Sequence, residues 1–452
     1  MSATLLDGRA PLGPPGATPA APLLIVGGRV IDPASGLDGV ADVRLRDGRI
    51  AAIAAGLAPE DGETTLDAGG RLVLPGFVDL HCHLGEPGHE DRETLATGTR
   101  AAAAGGFTTV CCMGDTTPRL DTGVELAALR ARAAETAAVR VLPIGCVTRG
   151  RDGSELAELA ELARAGAVAF SDDPRPVRSS RLLRHALAYS AMLSRPVVEH
   201  AVDSELAEGG LAHEGRVATW LGLPGVPAAA EEIAVARAIA LARLTGGRLH
   251  LAHLSTAGAV AQVRAAQAEG LAVTAEVSPL HLLLDEEAVG TAPHGRPYDT
   301  STRLEPPLRR AADAAALREG LADGAIAAIA SDHRPQRAVD KDCEYAYAAP
   351  GAAGLETAFG AVMELVAADR LSLLTVIRAL TSGPAAVFGL EAGRLTVGGP
   401  ADLVIADPEA TWTVEPSRFH SRGKSTPLAG RSLRGRVLAT LVGGAIVHRE
   451  GI

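Results

Sequence analysis

Apolar and polar positions divide the chain into two textures. From Leu23 to about Leu74, short runs of alternating apolar residues are broken by turns: LLIVGGRVID, ADVRLRDGRIAAI and TTLDAGGRLVL. Period-two alternation marks half-buried strands, and Asp47-Gly48 between two such runs signals a hairpin. The texture returns near the C-terminus in GRLTVGGPADLVIAD and GRVLATLVGGAIVHREG. Between the two ends, unbroken apolar runs alternate with Ala-rich amphipathic stretches. The runs at 72–83, 107–113, 139–147, 167–172, 196–201, 248–254, 271–278 and 325–331 predict buried strands. Stretches such as 122–138 and 228–245, with a last one near 355–368, predict the helices between and after them.

Strand–helix units in such a series predict an α/β fold, a TIM-type (β/α)8 barrel. No G-x-G-x-x-G follows the first strand, so a doubly wound open sheet lacks support. The two strand-rich ends read as one small β domain, residues 23–74 plus 390–452, with the barrel, 75–389, inserted between them. Residues 1–22, rich in Pro, Gly and Ala, read as a disordered tail.

Composition narrows the picture. At 452 residues and 47% hydrophobic content the chain can bury a large core, and with 3% aromatics that core is mostly Ala, Val, Leu and Ile. A net charge of −11 argues against nucleic acid or an anionic membrane as partner. The five cysteines include no C-x-x-C pair, and four lie in apolar runs, which fits a reducing compartment. With neither a signal-peptide pattern nor a transmembrane-length apolar run, the expectation is a cytoplasmic protein.

The chemistry gathers at strand ends. Alternate side chains share a face of a strand, so His81 and His83 point the same way at the end of the first run. The fourth run ends in Ser171-Asp172-Asp173, the fifth in Glu199-His200, and the eighth in Ser331-Asp332-His333; the sixth carries His250 and His253. In a barrel all of these converge on one mouth. Imidazoles with carboxylates suit Zn²⁺ or a similar ion, and this set is enough for two ions about 3.5–4 Å apart. Each group also has a plain reading. His250 faces away from His253 and reads as a packed core histidine; Asp172 and Asp173 read equally as loop carboxylates; His333 reads as an outer partner. His185, His213, His281 and His294 fall in helices or loops and stay outside the set.

The segments PGFVDLHCHLGEPG…ETLATGTRAAAAGGFTTV, VTAEVSPLHLLL, IASDHRPQ and GLETAF resemble the amidohydrolase superfamily, and within it the class I dihydroorotases. The resemblance runs from about residue 23 to 450 and takes in AFSDD, GLPGVP and GKSTPLAG. It implies a barrel with a β-sandwich appendage and a zinc centre that hydrolyses a cyclic amide, in the dihydroorotases the reversible interconversion of carbamoyl aspartate and dihydroorotate in pyrimidine biosynthesis. By motif, His81, His83 and Asp332 hold the first Zn²⁺, His200 and His253 the second, and Asp173 bridges. Asp332 would also be catalytic, carrying the proton from the attacking water to the leaving nitrogen. Many relatives bridge their ions with a carboxylated lysine. Here no lysine precedes Lys341, and Asp173 is the available substitute.

The substrate-binding positions depart from the family pattern. Dihydroorotases read H-x-H-L-R, and Gly85 stands at that Arg, two residues after His83, where a side chain would share the histidines' face. They read M-P-N-T, and Asp115 stands at the Asn. They read N-P-P-L-R and D-H-A-P-H, against Glu305-Pro306-Pro307-Leu308-Arg309 and Asp332-His333-Arg334-Pro335-Gln336. Three readings stay open: a dihydroorotase in which Arg334 or Arg119 replaces the lost Arg; a hydrolase of another cyclic amide, of hydantoin or allantoin type; or a scaffold for aspartate transcarbamoylase. Homo-oligomerisation also stays open.

Overall fold

The structure is a computed structural model and describes residues 21–295 and 297–452. The tail expected over 1–22 therefore falls, up to residue 20, outside the described residues, as does the side chain of His294.

The unbroken apolar runs form parallel strands covered on both faces. Every residue of Phe77–Cys82 and of Phe107–Cys112 is buried. The other six barrel strands are Arg140–Gly145, Ala169–Phe170, Val197–Glu199, Leu249–Leu251, Val273–Val277 and Ala328–Ile329. They pair in chain order from first to eighth. A parallel bridge between Cys82 and His333 brings the last strand's exit back to the first. Asp79 reinforces that seam: its carboxylate accepts the backbone N–H of Ser331 at 2.8 Å and the Ser331 hydroxyl. Burial pushes the Asp79 carboxyl up to about 6, against the pull of those hydrogen bonds.

One expected strand divides. The run 72–83 reads as continuous, but Leu72–Pro75 pairs antiparallel with Leu403–Thr413, while Phe77–Cys82 enters the barrel. The break is Gly76, where a Cβ would lie 2.1 Å from Thr108 Oγ1, so only glycine passes between the two sheets.

The terminal strands join into one mixed eight-stranded sheet. Its order is Ala445–Arg449, Ser432–Val442, Leu403–Thr413, Leu72–Pro75, Leu23–Asp32, Leu37–Arg46 and Arg49–Ala54, with Thr64–Asp67 beside Leu23–Asp32. Strands from both ends of that order share one apolar cluster that includes Val43, Ile50, Leu403 and Leu441, so the sheet curls over its own core. The Asp47-Gly48 hairpin has positive φ at both residues, 51° and 73°, as the tight turn requires. The ion pair of Arg140 with Asp402, at 2.9 Å, ties barrel to sheet.

The Ala-rich stretches are helices at Gly123–Thr136 and Ala228–Thr245, and the last begins as a 3₁₀ turn at Leu355–Thr357 before Ala358–Ala367. No helix among the described residues is long and apolar enough to cross a membrane. All five cysteines are unpaired.

Candidate metal centre

Four imidazoles meet around one carboxylate, the five side chains coming from four strand ends. His81 Nε2 and His83 Nε2 lie 3.3 and 3.4 Å from Asp173 Oδ1. On the other oxygen, His200 Nδ1 and His253 Nε2 lie 3.1 and 3.3 Å from Asp173 Oδ2. Two donor triads result, His81–His83–Asp173 and Asp173–His200–His253, sharing Asp173 and buried throughout. His253 sits at φ 33°, a left-handed conformation that non-glycine residues hold only when their surroundings impose it.

The outer partners set the direction of the imidazole lone pairs. Glu276, fully buried on the seventh strand, lies 2.9 Å from His81 Nδ1 and 3.1 Å from His250 Nε2. Burial alone would raise its carboxyl, but these hydrogen bonds outweigh burial and hold it at about 2. An ionised Glu276 makes His81 Nδ1 the protonated nitrogen. Nε2 then turns to the Asp173 carboxylate at 3.3 Å, and against burial Asp173 and Glu276 hold the ring's pKa well above the ordinary value, so that position attracts a cation, a proton or a metal ion. The donors therefore fit a metal ion, and four imidazoles with one carboxylate fit zinc or a similar borderline ion.

The structure separates the neighbouring carboxylates of the fourth strand. Asp173 enters the centre. Asp172 instead accepts the backbone N–H groups of Val147 and Thr148, at 2.9 and 3.0 Å, and fixes the loop after the third strand. Asp332 follows the eighth strand in a left-handed conformation, φ 48°. It belongs to neither triad, although its charge bears on His253 and His281. His250 is fully buried and bonded to Thr274 and Glu276, a core histidine that orients Glu276. His333 contacts Glu93 at 3.2 Å and accepts the N–H of Gly354, away from the triads. His281 lies between Ser278 and the carbonyl of Pro306.

The expected substrate-binding positions behave differently from one another. A side chain at Gly85 was expected to share the face of the histidines; the structure corrects this. Gly85 is left-handed, φ 67°, and its Cβ direction runs into the carbonyl oxygens of Glu93 and His89, at 2.6 and 2.8 Å. Asp115 was expected to face the substrate, but its Oδ2 lies 3.0 Å from His83 Nδ1, the outer nitrogen of a donor imidazole. His83, Arg151 and Arg334 overcome the effect of burial and hold its carboxyl at about 2. Arg334 forms an ion pair with Glu305 at 3.1 Å. Gln336 is buried and donates to the carbonyl of Pro350. Arg119 donates from Nη1 to the carbonyl oxygens of Asp115 and Thr116.

Sequence reasoning missed Glu276, Asp79 and Arg151. For the first two a signal existed: a lone acid inside an unbroken apolar run, in VTAEV and FVDLH, is costly to bury unless it is bonded.

Residues 70–259 match the family described as dihydro-orotase-like. A dihydroorotase from Anaeromyxobacter sp. (strain K) is 52% identical over 429 residues, which cover 95% of this chain and 98% of that protein. One from Pelotomaculum thermopropionicum is 50% identical, with 95% and 99% covered. The solved L-hydantoinase (dihydropyrimidinase) from Arthrobacter aurescens superposes with a TM-score of 0.84 at 28% identity, covering 95% of this chain and 96% of that one. The barrel and its paired donor triads define a metal-dependent cyclic amidohydrolase. Within that class, the chain belongs to the dihydroorotase family.

Proposed function

We propose that the chain is a zinc-dependent dihydroorotase that interconverts carbamoyl aspartate and dihydroorotate in pyrimidine biosynthesis. The observation that carries this reading is the shared carboxylate: Asp173 places one oxygen toward His81 and His83 and the other toward His200 and His253. In this reading His81, His83 and Asp332 hold one Zn²⁺, His200 and His253 hold a second, and Asp173 serves both. When bound, such ions polarise a ring carbonyl and make water a usable nucleophile at neutral pH. Glu276 and Asp115 fix the imidazoles of His81 and His83 from behind. Asp332 takes the proton from the attacking water and delivers it to the leaving ring nitrogen. The unpaired cysteines support a reducing, cytoplasmic setting.

A second reading is a neutral cyclic amide of hydantoin or dihydropyrimidine type. It is favoured by two observations: Gly85 supplies no cation, and Arg334 is paired with Glu305. The test is turnover of dihydroorotate beside hydantoin and dihydrouracil, with zinc measured on the same sample. Two equivalents of zinc with preference for dihydroorotate is the expected result. Turnover of the neutral rings alone refutes the first reading in favour of the second.

A further inference from the structure

We propose that Arg151 is the cation that receives the carboxylate of the ring substrate; this rests on the dihydroorotase reading. A carboxylated ring needs a positive partner at the mouth, and Gly85 cannot provide one, because a Cβ there would lie 2.6 Å from the Glu93 carbonyl oxygen. Three other basic groups near the site each have a terminal nitrogen bound. Arg334 is paired with Glu305, Arg119 is bound to two carbonyl oxygens, and Lys341 Nζ donates to the carbonyls of Thr300 and Arg303.

Arg151 differs from all three. It lies in the turn after the third barrel strand, at φ 55°, and is only 6% exposed. Its Nε donates to the carbonyl oxygen of Asp172 at 3.1 Å, which fixes the guanidinium against the residue next to Asp173. Among the described residues it forms no ion pair, and its two terminal nitrogens make no hydrogen bond. The bond to Asp172 and the low exposure place it beside the Asp173 segment, where the charges of Asp115 and Asp173 bear on it. A nearly buried guanidinium without a carboxylate is unfavourable unless a ligand completes it. Its free fork matches a carboxylate with two parallel N–H···O bonds. Anchoring by Arg151 also explains how an anionic ring tolerates Asp115 nearby: that carboxylate is directed at His83.

The experiment titrates orotate, a carboxylated ring that is not hydrolysed, and uracil, its uncharged counterpart, into the zinc-loaded protein and into Arg151→Met and Arg151→Lys. Zinc content and melting temperature are measured on each sample. Arg151→Met should weaken orotate binding roughly ten- to a hundredfold while uracil binding changes little, and Arg151→Lys should fall between. The KM for dihydroorotate should rise more than kcat falls. Unchanged orotate affinity in Arg151→Met, with dihydroorotate turned over by the unmodified chain, overturns the anchor and leaves the activity reading standing. Loss of zinc in step with loss of orotate makes Arg151 a support for the Asp173 segment and also overturns it. An unmodified chain that neither binds orotate nor hydrolyses dihydroorotate overturns the activity reading itself.

Discussion

Replacing Glu276 by Gln tests whether the centre is built from behind, and its outcome can be worked from the hydrogen bonds. Glu276 accepts from two imidazoles, His81 Nδ1 at 2.9 Å and His250 Nε2 at 3.1 Å. A glutamine keeps the shape but offers one acceptor and one donor group. His250 can adapt. Its Nδ1 lies 2.8 Å from the Thr274 hydroxyl, which rotates, so the ring can change tautomer and accept from the new amide. His81 cannot, because its Nε2 must face the ion and Nδ1 must stay protonated. The amide oxygen therefore turns toward His81, and what is lost is mainly charge.

A hydrogen bond to an ionised group contributes about 1.5–3 kcal/mol, and a neutral one about 1 kcal/mol less. Outer-partner changes typically weaken metal binding about 10–100-fold. Glu276→Gln should therefore weaken the ion at His81 and His83 by about that factor. The ion at His200 and His253, whose side chains do not bond to Glu276, should be nearly unaffected. Zinc titration against a chromophoric chelator of known affinity resolves the two steps. Glu276→Leu leaves two buried N–H groups without acceptors, at about 1–3 kcal/mol each, and should lower stability in urea accordingly. Both zinc steps unchanged in Glu276→Gln would refute the reasoning, since His81 would then need no acceptor behind it.

Three further outcomes follow from other parts of the structure. Asp332→Asn should retain most of the zinc yet lose roughly 10²–10⁴-fold in turnover, and unchanged turnover removes Asp332 from proton transfer. Gly85→Ala should destabilise by about 2 kcal/mol or more in urea, because φ is 67° and the new methyl meets the Glu93 carbonyl; a neutral result shows that the 85–93 loop is free to move. Burial lowers the Lys341 amine to about 7, so between there and the ordinary value of 10.5 the unfolded chain binds the extra proton. Stability should rise with pH across that window, by up to about 1.4 kcal/mol per unit relative to Lys341→Met, and parallel pH profiles for the two proteins would contradict it.

What the sequence made legible was set by local chemistry. Strand ends carrying His or Asp read directly, because a barrel brings all such ends to one face. The Asp47-Gly48 turn read for the same reason: its dipeptide demands positive φ. The division at Gly76 was not legible. An apolar run looks the same whichever sheet it joins, and the deciding contact is with Thr108, thirty-two residues on. Gly85 was misjudged because a glycine does not announce its φ, and at 67° the strand alternation that aligns His81 with His83 no longer applies. Asp115 and Arg151 were placed by burial and by partners from distant strands. Arg151 sits in RGRDG, whose polar and glycine residues carry no sign of burial, yet the structure buries it.

The proposed ions sharpen the case for a separate substrate anchor. Four carboxylates serve the centre in that reading: Asp173 between the triads, Glu276 on His81, Asp115 on His83, and Asp332 at the mouth. Their charges match those of two divalent ions. Glu199, beside His200, is paired with Arg237 at 3.2 Å, so that pair adds no net charge. The Arg334–Glu305 pair adds no net charge. With Arg151 left out of the sum, a neutral ring would enter such a centre without imbalance. A carboxylated ring brings one negative charge that neither the ions nor Arg334 is left to compensate. In a family whose usual cation sits where this chain has Gly85, discrimination between the two kinds of ring therefore falls to a group outside the conventional motif. Arg151 has the charge, the burial and the unoccupied nitrogens for that role. Substrate choice and metal binding then rest on different residues, so the first can be altered at Arg151 while Asp173 and its four histidines remain in place.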